Sequence, residues 1–317
     1  MTKIAVVGVG TFGQQHARVL ASLPEVELVA VVDKNPERSA EIAKRFQCEG
    51  LNEISSLIGK IDAASVAVPT ALHREIGVDL LKAGIDILVE KPIAPDLISA
   101  DALVQAAEDN GRILQVGHLE RFNPIVEAAQ QVATLPLFFE VHRMSPFSPR
   151  SLDVDVVLDL MIHDLDILLS LVKSKLERLE ATGIAILSVK PDIASVRLVF
   201  KNGCVANLSA SRVSVEKIRK LRFFQPRQYI SLDYTRRDGV IYEVSESNKI
   251  SHHPLTTSPS EEPLVRQLKN FLACVKNRTK PRVSGVDARN ALSLALTIVE
   301  AMETHSGIVA ETLNTQK

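Results

Sequence analysis

The stretch IAVVGVGTFG, residues 4–13, decides the fold. Its apolar, β-branched run reads as a buried strand, and a helix-like segment, 13–22, follows. Between them lies Gly8-Val9-Gly10-Thr11-Phe12-Gly13. G-x-G-x-x-G carries meaning when it links a strand to a helix, as here. Gly8 permits the tight turn, Gly10 lets the backbone come close to a pyrophosphate, and Gly13 allows the helix to pack on the strand. The pyrophosphate would rest on the helix N-terminus. Asp33 ends the next β-like run, twenty residues beyond Gly13. An acid there accepts hydrogen bonds from ribose hydroxyls and repels a 2′-phosphate. The expected cofactor is therefore NAD rather than NADP, with Lys34 and Arg38 close enough to soften the preference.

Outward from this motif the first 118 residues alternate. Apolar runs at 26–33, 64–69, 85–90 and 112–117 are separated by helix-like segments at 36–46, 71–83 and 96–109. That rhythm predicts a doubly wound parallel sheet, a Rossmann domain over residues 1–118. After Asn123-Pro124 it breaks. A helix (125–133) and a strand (137–144) lead into a loop with Pro146 and Pro149. Residues 178–245 then read as six successive strands, 246–262 as a loop, and 262–277 and 286–304 as helices. Strands without intervening helices predict an α+β domain on an open, mainly antiparallel sheet, spanning 119–317. An open apolar face on that sheet would need covering, most simply by a second subunit, giving a homodimer or homotetramer.

Two places concentrate chemistry. The strand 85–90 runs into Glu90-Lys91-Pro92, and strand carboxyl ends face the ligand crevice in such sheets. Lys91 would then point toward the nicotinamide. The segment VLDLMIHDLDILLSL, 157–171, is apolar on most faces yet carries Asp159, His163 and Asp166 at i, i+4, i+7. On an α-helix these share one face. A histidine suits proton removal from a hydroxyl near neutral pH, and a lysine cation would stabilise the developing alkoxide. Asp159 would hold a substrate hydroxyl or orient the imidazole. A buried polar network without chemistry is the other reading of this helix.

Composition narrows the classes. The 317 residues are 46% hydrophobic with a formal net charge of −1 and dispersed Lys and Arg, against a phosphate-neutralising nucleic-acid binder. Cys48, Cys204 and Cys274 lack metal-ligand spacing, so no metal is expected, and they fit a reducing cytoplasm. No signal peptide is visible at the start and no run approaches the ~18 apolar residues of a membrane span, so a cytoplasmic protein without membrane partners is expected.

The chain resembles the glucose–fructose oxidoreductase/inositol dehydrogenase (Gfo/Idh/MocA) family over essentially its whole length. The resemblance rests on the glycine motif, Val68-Pro69-Thr70 with His73, Glu90-Lys91-Pro92, and Asp159-Leu160-Met161-Ile162-His163. It implies an NAD-dependent dehydrogenase with Lys91, Asp159 and His163 as catalytic side chains. Pro69, Thr70, His73 and Glu90 would join Gly8, Gly10, Thr11, Phe12, Gly13, Asp33 and Lys91 around the cofactor, and Asp166 would support them. Where the family often has a glycine between its Asp and His, this chain has Met161.

A second stretch, Gly117-His118-Leu119-Glu120-Arg121-Phe122-Asn123-Pro124, resembles family members that oxidise the 3-hydroxyl of UDP-N-acetylglucosamine. This implies a 3-keto sugar nucleotide handed to an aminotransferase. Arg121 and Asn123 would contact sugar hydroxyls or the nicotinamide amide. Glu216-Lys217-Ile218-Arg219 looks like the same subgroup; Lys217 and Arg219, and also Arg143, would meet the diphosphate. The alternatives are oxidation of another pyranose or an inositol, and a non-catalytic nucleotide-sensing regulator, against which the full Lys91, Asp159 and His163 set argues.

Overall fold

The computed structural model describes residues 1–148, 154–257 and 261–315, with side chains described as far as His305; Pro149 of the expected loop and residues 258–260 of the second lie outside them. The chain divides into two compact units. One comprises Met1–Phe122 with Glu261–Leu292, the other Asn123–Ser260 with Ser293–Lys317.

The first unit is built on β1 (Thr2–Val7), α1 (Thr11–Ser22), β2 (Val26–Val32), α2 (Pro36–Phe46), β3 (Glu49–Leu51), β4 (Ala63–Val66), α3 (His73–Lys82), β5 (Asp86–Glu90), α4 (Leu97–Asp109) and β6 (Leu114–Gly117). The strands pair in the order β3-β2-β1-β4-β5-β6, all parallel. The chain moves one way from β1 to β2 and the other way to β4, so the switch point, where such sheets bind ligands, lies between β1 and β4. Local signals set the helices. Asn35 caps α2 by accepting from the Glu37 and Arg38 amides, Pro36 opens it, and Gln47 ends it in the left-handed conformation. Asp96 caps α4 through the Ser99 amide.

The second unit holds α5 (Pro124–Val132), β7 (Phe138–Met144), a π-helical turn (Val157–Met161), α6 (Ile162–Val172), β8 (Leu176–Ile184), β9 (Ile193–Phe200), β10 (Val205–Ser211), β11 (Ile218–Gln225), β12 (Gln228–Asp233), β13 (Asp238–Val244) and β14 (Ile250–Pro254). Its sheet order is β14-β13-β12-β11-β7-β10-β9-β8. Among the described residues of this unit, β7 and β10 pair in parallel and the other pairings are antiparallel, as expected. The helices α7 (Pro263–Asn277) and α8 (Gly285–Thr315) complete the chain, and the unit boundary falls within α8.

Four expectations change. The segment around 250 is not loop but the edge strand β14, whose residues are all exposed and so give no apolar alternation. The second domain does not run unbroken from 119 to 317. Its boundary is Phe122/Asn123, and α7 returns to the first unit because Leu264, Leu268, Phe271, Leu272 and Val275 join a core with Ile4, Val6, Leu20 and Val31. The outer face of the eight-stranded sheet is mixed rather than apolar. In β9, buried Ala194, Val196, Leu198 and Phe200 alternate with outward Ser195 and Arg197. Glu140 pairs with Arg222 at 3.6 Å and Arg197 bonds Asn207 at 3.0 Å. Along it runs an aromatic row, Phe138–Phe224–Tyr229–Tyr242–His252, with successive ring centroids 5.8, 4.7, 5.3 and 5.6 Å apart. Finally, the segment carrying Asp159 starts as a π turn: the Ile162 amide bonds the Val157 carbonyl, five residues back.

Phe271 tests the unit assignment. Phe271→Ala should cost about 3–5 kcal/mol, the usual range for emptying a buried aromatic site. Hydrogen exchange should then rise in β1 and β2; a rise confined to β9 and β10 would contradict the assignment of α7.

Candidate active site

In the first unit the glycine turn has the shape its sequence implies. Gly8 sits at φ +85°, and a Cβ there would lie 2.7 Å from the Ala67 carbonyl oxygen. A Cβ on Gly13 would drive into the Gly8 carbonyl, whereas one on Gly10 would meet nothing within 4 Å. Gly10 is also the N-cap of α1, with no side-chain cap and no acid in the first turn. Thr11 and Phe12 are exposed there. Asp33 is 9% exposed. Its carboxylate accepts from the Val9 amide at 3.0 Å and the Asn35 amide at 3.0 Å, and Arg38 Nη1 stands 3.7 Å away. An open backbone cradle, an uncapped helix start and a fixed acid fit a dinucleotide.

At the end of β5, Glu90 is mostly buried. Its Oε1 lies 3.3 Å from Nε2 of the fully buried His16, whose Nδ1 is 2.7 Å from Ser65 Oγ. Glu90 Oε2 accepts from the Lys91 amide at 3.3 Å. Lys91 is half-buried, and the Lys91–Pro92 peptide is cis. His118, 1% exposed, is pushed down to about 3 by burial and further by the Lys91 and Arg121 charges, with Glu90 opposing. It is a neutral imidazole beside the lysine at physiological pH. Pro69 is exposed, Thr70 is half-buried and starts the turn into α3, and His73 is 1% exposed among backbone carbonyls. Arg121 is 8% exposed and donates to the Arg282 carbonyl at 3.2 Å.

In the second unit Asp159 and His163 are half-buried while Val156, Val157, Met161, Ile162 and Leu165 around them are buried. The π turn means the two are not related by plain α spacing. Asp166 is buried at 2%. Arg143, expected at a diphosphate, is itself 2% exposed: its Nε and Nη2 donate to Asp164 at 2.6 and 2.9 Å, and its guanidinium lies 5.7 Å from the Tyr234 ring centroid. Strand alternation explains this, because Arg143 shares the inner face of β7 with Phe139 and Val141. Asn123 is 3% exposed and works on backbone, capping α5 through the Ile125 amide and donating to the Tyr234 carbonyl at 3.2 Å. Arg219 stands opposite Arg143 in the β7–β11 ladder and is half-buried; Lys217 is exposed just before β11.

Several further buried groups support these residues. His16 lies on the buried stripe of α1 with Gly13, Ala17 and Leu20, a readable signal. Asp192 accepts from the Ile186, Leu187 and Ser188 amides at 2.7, 2.6 and 3.0 Å and from Arg212 Nε at 2.8 Å. Burial alone would raise its pKa; these donors outweigh it and hold the carboxyl well below the usual range. Arg212 Nη1 also donates to the Val154 carbonyl at 2.7 Å, just ahead of the π turn. Among the described residues, no group of His, Cys, Asp and Glu could hold a metal ion, and no helix is long and apolar enough to cross a membrane.

Two variants separate scaffold from contact. Arg143→Met removes the guanidinium that pairs with the buried Asp164 carboxylate and should cost about 3–5 kcal/mol in chemical denaturation; unchanged stability would argue for a contact role instead. Gly10→Ala should leave the melting temperature within a few degrees yet weaken NADH binding, followed by fluorescence titration, ~10-fold or more, because the new methyl occupies the open cradle.

The profile of an oxidoreductase family with an NAD-binding Rossmann fold, GFO_IDH_MocA, matches residues 2–118. Over the full chain, UDP-N-acetylglucosamine 3-dehydrogenase of Acidithiobacillus ferrooxidans is 33% identical, covering 95% of this chain and 97% of the relative. Its solved structure superposes with a TM-score of 0.90 over 96% of this chain and 98% of its own. Myo-inositol 2-dehydrogenase of Thermotoga maritima is 24% identical over 98% of both chains. Sequence and fold thus agree from β1 to α8, and the protein belongs to the Gfo/Idh/MocA family of NAD-binding oxidoreductases.

Proposed function

We propose that the protein oxidises the 3-hydroxyl of UDP-N-acetylglucosamine with NAD, giving a 3-keto sugar nucleotide. The observation that carries this reading is the likeness to a UDP-N-acetylglucosamine 3-dehydrogenase at 33% identity over 95% of the chain. When bound, NAD supplies a hydride acceptor for the carbinol carbon. Lys91, half-buried after Glu90, places an ammonium beside the hydroxyl, lowers its pKa and stabilises the developing alkoxide. His163 takes the hydroxyl proton. Asp159 holds a neighbouring substrate hydroxyl or orients that imidazole. Lys217 and Arg219 meet the diphosphate. Arg143 contributes by holding α6 through Asp164 rather than by touching substrate. Arg121 and Asn123, both bonded to backbone carbonyls, hold the segment joining β6 to α5.

NAD is preferred to NADP through Asp33, with Arg38 3.7 Å from its carboxylate as the feature that limits the preference. The outer face of the eight-stranded sheet joins subunits into a homodimer or homotetramer, its aromatic row forming part of the contact. The protein works in the cytoplasm, and an aminotransferase consumes its product. A second reading, oxidation of an inositol or another pyranose, is favoured by the inositol dehydrogenase similarity along 98% of the chain.

A coupled assay decides between them. Protein, NAD, UDP-N-acetylglucosamine, glutamate and a pyridoxal-phosphate aminotransferase should yield a 3-amino UDP-sugar. Robust NADH formation from a free sugar or inositol, with none in the coupled assay, would sink the nucleotide-sugar reading and leave the family standing. Lys91→Met and His163→Ala should each lower turnover ~100-fold or more with NADH binding nearly intact. His163→Ala should also flatten the acidic limb of the pH profile, since it removes the proposed proton acceptor. Asp33→Ser should narrow the ratio of NAD to NADP affinity.

A further inference from the structure

His73 was expected beside the cofactor, yet it is 1% exposed and its ring is taken up by backbone. Nε2 lies 3.0 Å from the Val68 carbonyl oxygen, just before Pro69 and Thr70. Nδ1 lies 3.0 Å from the Pro92 carbonyl oxygen and 3.3 Å from that of Ile93, immediately after Lys91. One ring therefore spans the segments that leave β4 and β5, two strands that pair in parallel through Val66 and Val89. A carbonyl oxygen only accepts, and a neutral imidazole has one N–H to give. Burial lowers the His73 pKa against the pull of these carbonyls, and in the neutral ring that hydrogen bonds one end while the other nitrogen abuts its carbonyl oxygen without a hydrogen bond.

We propose that His73 is a positioning residue for the reaction: it sets the spacing between the Val68-Pro69-Thr70 turn and the Lys91-Pro92 segment, and so the placement of the Lys91 ammonium. The inference rests on the proposed role of Lys91 and goes beyond it, since it assigns His73 no contact with cofactor or substrate. The physical ground is that catalytic groups must be held to a fraction of an ångström, and misplacement by about 1 Å can cost ~100-fold in rate. After β5 the chain has left the sheet ladder, so strand pairing no longer fixes it. The His73 ring, wedged between the two exits and hydrogen-bonded to one of them, keeps them at a set spacing.

The test is a mutant cycle read on turnover, with NADH affinity and melting temperature measured on every variant. His73→Phe keeps a ring of similar width but no N–H; His73→Gln keeps a donor. His73→Phe should lower kcat ~10-fold or more with NADH affinity within ~3-fold of the unaltered protein, and His73→Gln should recover much of that loss. In a Lys91→Met background, His73→Phe should add less than ~2-fold, because the group it positions has gone. Full, additive loss in that background would overturn the inference, and so would lost stability with kcat retained. If His73→Phe does not fold, the same cycle is run with His73→Gln: a smaller loss of kcat that vanishes in the Lys91→Met background supports the inference, and an additive loss overturns it. A Lys91→Met protein that keeps its turnover would instead remove the proposed role of Lys91, and this inference with it.

Discussion

The buried carboxylate of Glu90 is the constraint around which the first unit's site is arranged. A carboxylate out of water must be partnered. Here Oε2 takes the Lys91 amide at 3.3 Å, while Oε1 faces Nε2 of His16 in α1 at 3.3 Å, an ion pair when that imidazole is protonated. The neighbour in β6 is Gly117, where an added Cβ would overlap Glu90 Oε1 and displace that carboxylate from its present position. The helix that follows the glycine turn, the strand exit that presents Lys91, and the strand that leads to His118 thus converge on one acid. The convergence has an electrostatic consequence. His118 is held neutral by burial and by the Lys91 and Arg121 charges, so it adds no second cation next to Lys91.

Much of this was readable from sequence where a local rule and the fold agree. The range 36–46 for α2 matches because its asparagine cap, first-turn proline and left-handed Gln47 all act within the helix itself. The glycine motif was readable because two of its glycines answer steric demands visible in the backbone, at Gly8 and Gly13. What was not readable depends on partners distant in the chain. The three-residue β3 exists through its pairing with Ala30–Val32 of β2, and β14 through its pairing with β13; neither has an apolar rhythm. Assigning α7 to the second half assumed that chain order tracks spatial order, which its apolar stripe contradicts. Reading Arg143 as a phosphate contact weighed its charge and neglected strand parity, which puts it on the inner face with Phe139 and Val141.

The π turn is the deepest of these departures. Asp159, His163 and Asp166 at i, i+4, i+7 share one face only if the helix keeps 3.6 residues per turn throughout. A wider turn at Val157–Met161 changes the angle at which Asp159 leaves the helix relative to His163, while Asp166, inside α6, keeps its α relation to His163. Nothing in the local sequence announces such a turn.

A single π turn interrupts the regular α ladder, so contacts from outside the helix bear on how it is oriented. Two buried ion pairs in the second unit supply such contacts from either end. Arg212, held by Asp192, bonds the Val154 carbonyl ahead of the turn; Arg143 grips Asp164 one residue after His163. Buried pairs of this kind add little net stability, because desolvation offsets most of their attraction. Their directional hydrogen bonds do something apolar packing would not: they fix the rotation and height of the segment between them. Asp159 and His163 lie in that segment, half-buried among buried neighbours. Charge that contributes little to holding the fold together thus sets the direction in which the polar side chains point.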